Sequence, residues 1–168
     1  MTKAIKKFIR GFSYALRGIG SCIYRERDMR FHCMAVILVL FWCCFFDPEA
    51  AEFAVVILCF GLVMALECVN TAVEALSDKL TGERHPLIKI AKDAAAGAVL
   101  LAAAASAVCG GLLFLQQPRF GVAVRRIFTS PLWGSIFVVL ILGAFCFIFV
   151  LPTPEKELPA LEKKEKKD

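Results

Sequence analysis

Apolar positions along the chain gather into four long runs, Phe31 to Phe46, Phe53 to Leu66, Ala94 to Leu115 and Leu132 to Leu151. Only the last two hold the ~20 residues that cross a bilayer unaided. The first two reach that length if their polar flanks enter the headgroup region. Only the short turn at Asp47-Pro48-Glu49 and the polar step to Glu52 separate them, which predicts a helical hairpin. Before the first run, from Lys3 to about Tyr24, the apolar Ile5, Phe8, Ile9, Phe12, Leu16, Ile19 and Ile23 recur at helical spacing. They alternate with Lys3, Lys6, Lys7, Arg10 and Arg17, the pattern of a helix lying in the membrane surface. The third run places Ala94, Ala98, Ala102, Ser106 and Gly110 at every fourth position. A row of small side chains is how membrane helices approach closely, so this span is expected at the centre of a bundle or of an oligomer. The predicted architecture is an all-α integral membrane protein. Residues 1–115 hold the surface helix and three spans, 116–131 form a connection, 132–151 an additional C-terminal transmembrane helix, and 152–168 a charged tail expected to be disordered.

Composition supports a membrane protein. Hydrophobic residues make up 59% of the 168 positions and mean hydropathy is +0.70, too apolar for an ordinary soluble domain. The basic residues set an orientation. Eight precede the first span, four lie between the second and third, and five are in the tail, against three in the 116–131 connection. Both termini are therefore expected in the cytoplasm, in a multi-pass protein of the inner (cytoplasmic) membrane. The net charge of +5 reads as an orientation and lipid-surface signal, with no indication of nucleic acid. The eight cysteines form no C-x-x-C pair and read as small packing residues. The charged first thirty residues lack the apolar segment of a signal peptide.

Chemistry is concentrated on one helix. Glu67, Asn70, Glu74 and Asp78 fall within about 80° of one another around a helix, directly after fourteen residues, Phe53 to Leu66, that carry no charge. Carboxylates beside hydrocarbon are costly, by roughly 3 kcal/mol each, and usually mark an ion or substrate path. The predicted orientation brings two further segments to the same cytoplasmic face: Arg25 to His32, with Glu26, Arg27, Asp28 and Arg30, and His85 to Asp93, with Lys89 and Lys92. Hard oxygen ligands for magnesium and cations for phosphate oxygens are what a nucleotide site requires. At a membrane interface such a site reaches both a soluble nucleotide and a lipid headgroup. Neither a P-loop nor a dinucleotide-binding glycine motif is present. For Arg27 and Arg30 the plainer role is as snorkelling anchors, and for His32 as a satisfied interfacial histidine.

From Phe12 to Leu115 the sequence resembles the prokaryotic diacylglycerol kinase family, which includes the undecaprenol kinases. The resemblance rests on Phe12-Ser13-Tyr14-Ala15, Arg25-Glu26-Arg27, Glu67-x-x-Asn70-x-x-x-Glu74 with Asp78 beyond, and Ala91-Lys92-Asp93 followed by Ala94 to Ala98. It implies a homotrimer of three-span protomers that transfers the γ-phosphate of ATP, with Mg2+, to a lipid hydroxyl at the cytoplasmic surface. By position, it implies Glu67 as the general base, Glu26 and Glu74 as metal ligands, and Tyr14, Asn70, Lys92 and Asp93 as nucleotide-site residues. Lys7 lies where the surface helix contributes less certain contacts. The segments Arg25 to His32, His85-Pro86-Leu87 and Ala94 to Gly97 look more like the undecaprenol kinase branch. The fourth span and the tail have no counterpart in the three-span pattern. A chain ending after Gln117 is expected to insert and to phosphorylate lipid.

Two other classes compete. A small ion or proton transporter could use the Glu67, Glu74 and Asp78 stripe, but it predicts acidic residues distributed through the bilayer depth, and here they cluster at one end. An inert scaffold is disfavoured by the presence of every carboxylate together with Lys92 and Asp93.

Overall fold

The computed structural model describes residues 2–80 and 85–152, without the side chains of Lys3 and Ala4. Arg84 and the tail from Thr153 onward, expected to be disordered, lie outside the described residues. The described chain is all helical: α1 (Lys3–Arg25), α2 (Arg27–Phe46), α3 (Ala50–Leu80), α4 (Pro86–Phe114), α5 (Arg119–Thr129) and α6 (Pro131–Phe145), the last continued by a π-helical turn, Cys146–Val150. Four segments are long and apolar enough to cross a membrane: α2, α3, α4 and Pro131–Val150.

The helices extend beyond the apolar runs that announce them. α3 continues through 31 residues to Leu80, so the whole acidic stripe is helical. α4 begins at Pro86, where proline is tolerated because the first-turn N–H groups have no partner within the helix; His85 caps it, its Nδ1 accepting from Leu87 N–H at 3.3 Å. Lys89, Lys92 and Asp93 therefore stand on a helix.

Local chemistry closes the α2–α3 hairpin. Asp47 takes a left-handed conformation (φ 55°) and its N–H donates to the Cys43 carbonyl, ending α2, a role that Asp fills more readily than most side chains. Glu52 then accepts from Glu49 N–H at 2.8 Å and fixes the first turn of α3.

α1 is exposed from Thr2 to Ser21 wherever its side chains are described, including Ile5, Phe8, Ile9, Phe12, Leu16 and Ile19. Among the described residues nothing covers this apolar stripe, the exposure expected of a helix that rests on the membrane rather than on the protein. α3 and α4 form the most extensive helix pair. Ala102 is buried, and Ala98, Ser106 and Gly110 are half-buried. α4 packs substantially on α3 alone, so within the protomer it stands at the edge rather than at the centre of the bundle.

The 116–131 connection differs most from expectation. It folds into an amphipathic helix, α5, whose Ala123 and Ile127 are completely buried. They join Phe45, Phe46, Val56 and Leu113 in the hydrophobic core. Arg119 fastens α5 to the hairpin tip: its guanidinium donates to both Glu52 oxygens (2.9 and 2.8 Å) and to the Asp47 carbonyl (2.9 Å), and lies 4.3 Å from the Phe46 ring centre. Hydrogen bonding to the Glu52 carboxylate raises the pKa of Arg119 above the ordinary arginine value. α6 then returns along α2, with Phe41, Phe45, Trp133 and Phe137 in ring contact.

Candidate active site

The end of the bundle opposite this aromatic core holds the polar groups. Along α3 burial falls steadily: Glu67 is 3% exposed, Asn70 and Glu74 are half-buried and Asp78 is exposed. Glu67 lies within electrostatic reach of Glu26 and Asp28, from the α1–α2 junction, and of Glu74, nearly two helical turns further along. The structure thus brings Glu26 of the junction near Glu67 of α3, and adds Asp28, a residue in the segment flagged on sequence grounds but given no role there.

Glu26 owes its place to a break in the backbone. It is the residue between α1 and α2, in extended conformation (φ −106°, ψ 125°), ending one helix and starting the next. A continuous helix would set its side chain by the 100° repeat; the break frees it from that constraint. Asn70 donates to Glu74 Oε1 at 3.4 Å, leaving its own Oδ1 buried with no partner. An unsatisfied buried acceptor is rare in folded proteins, and this one lies on the stripe. Thr71 donates to the Glu67 carbonyl at 3.0 Å, and Ser77 is buried one turn before the helix end.

Lys92 of α4 donates to Asp78 Oδ1 at 3.1 Å, joining α4 to the outer end of the stripe. Asp93 is exposed beside it. Tyr14 is not part of the buried group: it is exposed on α1 with the Arg17 guanidinium 4.7 Å from its ring centre. Lys7 is likewise exposed on α1. His32 is half-buried edge-on to Phe31. Arg30 departs from the snorkelling role: it is 3% exposed and hydrogen-bonded to carbonyls on both sides of it.

Among the described residues no group of three or more His, Cys, Asp or Glu side chains is arranged to hold a metal by itself. That suits magnesium, which usually takes one or two carboxylates and completes its coordination with water and substrate phosphates. The repulsion that Glu26, Asp28 and Glu74 exert on Glu67 is also of the kind that a divalent cation relieves. A transporter reading fits less well: Phe53 to Leu66 of α3 carries no charge, and the acidic residues of the stripe, from Glu67 to Asp78, all follow it toward one end of the helix.

The sequence profile of the prokaryotic diacylglycerol kinases matches residues 13–114. The undecaprenol kinase of Bacillus subtilis (strain 168) is 39% identical over 113 residues, covering 67% of this chain and 92% of that protein. The diacylglycerol kinase of Synechocystis sp. is 43% identical over 105 residues, covering 62% of this chain and 60% of that protein. The diacylglycerol kinase of Escherichia coli (strain K12) is 32% identical over 101 residues, 60% of this chain and 83% of that protein. No solved structure matches the chain at a significant level. With the buried Glu67, the four apolar spans and this match over most of the chain, the protein belongs to the prokaryotic diacylglycerol kinase family and is an ATP-dependent membrane lipid kinase.

Proposed function

We propose that the enzyme phosphorylates the terminal hydroxyl of a polyprenol of the undecaprenol class at the cytoplasmic face, with Glu67 as general base. The observation that carries the base is its setting: a carboxylate 3% exposed, at the point where an uncharged helix becomes polar. A lipid hydroxyl is a poor nucleophile, and a carboxylate held away from water is a stronger base than one in bulk solvent. Glu67 takes the hydroxyl proton as the lipid oxygen bonds to the γ-phosphorus, and the bond to the bridging oxygen breaks to release ADP. Glu26 and Glu74 would hold Mg2+, which when bound offsets charge on the phosphate oxygens.

Asn70 Oδ1 supplies an acceptor that the protein leaves unused, suited to a donor on the nucleotide. Lys92 keeps a cation at the outer end of the stripe, where a polyphosphate requires one. Tyr14 and Asp93, both exposed in one protomer, complete the nucleotide site by resemblance. A homotrimer, implied by the same resemblance, gives them a neighbouring copy to face. The excess of basic residues at the N-terminus, the 81–92 region and the tail supports placing both termini in the cytoplasm.

Polyprenol is favoured over diacylglycerol by Arg25 to His32, His85-Pro86-Leu87 and Ala94 to Gly97, which look like the undecaprenol kinase branch. The test is transfer of labelled γ-phosphate by purified enzyme offered undecaprenol and diacylglycerol separately. Higher kcat/KM with undecaprenol is expected. Preference for diacylglycerol would overturn the substrate, and ATP hydrolysis with neither lipid labelled would overturn the kinase reading of the site.

A further inference from the structure

Arg30 uses all three guanidinium nitrogens on backbone carbonyls. Nε donates to Ile23 at 3.0 Å and Nη2 to Tyr24 at 2.6 Å, in the last turn of α1. Nη1 donates to Leu151 at 2.8 Å, and Nη2 also to Pro152 at 3.3 Å, just past the end of the fourth span. Phe147, in the π-helical turn, lies with its ring centre 5.8 Å from the guanidinium carbon.

Two helix C-termini therefore meet on one buried cation. Each brings carbonyls without partners in its own helix and the negative end of its dipole, and a guanidinium has a fixed fork able to serve both at once. The two carbonyl pairs, Ile23 with Tyr24 and Leu151 with Pro152, lie far apart in sequence; one belongs to the kinase core and the other to the appended span.

Glu26 lies at the point that this arrangement fixes. It follows α1 directly, and its carbonyl accepts from the Arg30 N–H at 3.3 Å. We infer that Arg30 is a positioning residue for Glu26, and that the fourth span is the element that holds Arg30 in place. The extension is thus an internal support for the metal-binding side of the site. This rests on the proposed role of Glu26 as a magnesium ligand.

The test uses the full chain in lipid nanodiscs and measures binding of Mn2+ by electron paramagnetic resonance, with a non-hydrolysable ATP analogue present. Magnesium titration of lipid phosphorylation runs alongside. Arg30→Lys keeps the charge and loses the fork. Ile148→Ala removes a buried side chain of the π-helical turn, which packs on α2, and touches no group of the site. Each is expected to weaken Mn2+ binding roughly tenfold, the usual scale for a partner that orients a metal ligand, with the KM for lipid unchanged. The double variant should lose much less than the product of the two, because both act through one contact.

Glu26→Ala separates the two layers of the argument. If it leaves Mn2+ binding intact, the metal role of Glu26 fails and the inference falls with it. If Glu26→Ala weakens binding while Ile148→Ala does not, the metal role stands and the coupling to the fourth span is overturned. Ile148→Ala decides this alone should Arg30→Lys fail to fold.

Discussion

The two ends of α2 are built on opposite principles. At its last turn Phe45 and Phe46 are packed among Val56, Leu113, Ala123 and Ile127, with Arg119 tying the surrounding backbone together. At its start lie the cap residue Glu26, Asp28 and the buried Arg30, with Glu26 and Asp28 within electrostatic reach of Glu67. The first end is filled by apolar side chains, although Trp42 Nε1 is buried there without a partner among the described residues. The second gathers like charges and leaves the Asn70 carbonyl oxygen without a donor, a condition that a ligand remedies. Apolar packing and polar chemistry thus occupy opposite ends of one helix.

The largest effect should come from the repulsive end. Glu67→Gln is expected to lower turnover by about 10² or more, or ~2.7 kcal/mol of transition-state stabilisation, while nucleotide binding by calorimetry stays near normal. Near-normal turnover would remove Glu67 from the mechanism and reduce the contrast to a difference in packing.

At the aromatic end, Phe46→Ala should lower unfolding stability by about 2 kcal/mol. That is less than the 3–5 kcal/mol of water-soluble cores, because lipid provides apolar surroundings in either state. Thermal unfolding in nanodiscs measures it, and turnover per folded enzyme should be unchanged. A selective loss of turnover would show that the two ends are not separable.

Smaller again, Glu74→Ala should raise the magnesium needed for half-maximal rate by roughly tenfold, read from a titration at fixed ATP. An unchanged titration would take Glu74 out of the metal site. Arg119→Gln removes an ion pair that is partly exposed, with side-chain exposures of 30% and 21%; a small fall in unfolding temperature is expected, and a smaller one at high salt. Ending the chain after Gln117 removes the Leu151 and Pro152 carbonyls that hold Arg30, so it should raise the magnesium requirement as Arg30→Lys should. At saturating magnesium the inserted protein should still retain most of its turnover, with a lower unfolding temperature, because every candidate catalytic residue precedes the cut.

Much of this was legible before the structure. Four spans, the surface helix and the acidic stripe follow from apolar runs and a 100° repeat, which local sequence carries directly. α5 was missed although its signal was there: Phe120, Ala123, Val124 and Ile127 recur at helical spacing against Arg119, Arg125 and Arg126. Pro118, Gly121 and Pro131 made the segment look like a loop, yet both prolines sit at helix starts, where they are tolerated. The role of Arg30 could not be read, because its partners are backbone carbonyls and no residue type announces them. The junction at Glu26 was legible as a motif but not as a break, since nothing in Arg25-Glu26-Arg27 forbids a continuous helix.

The length of α3 has a consequence of its own. Its 31 residues extend about 46 Å at ~1.5 Å per residue, well beyond a hydrocarbon layer of ~30 Å. Counted from Ala50, Glu67 comes at roughly 26 Å and Asp78 at roughly 42 Å. The helix acts as a depth gauge. On the proposed roles and orientation, the base stops just short of the inner boundary, where a lipid hydroxyl would surface, and the proposed nucleotide-site groups stand beyond it. Bilayer thickness then becomes a catalytic variable: a thicker membrane would draw the proposed base under the boundary and away from the hydroxyl, and a thinner one would lift it into solvent.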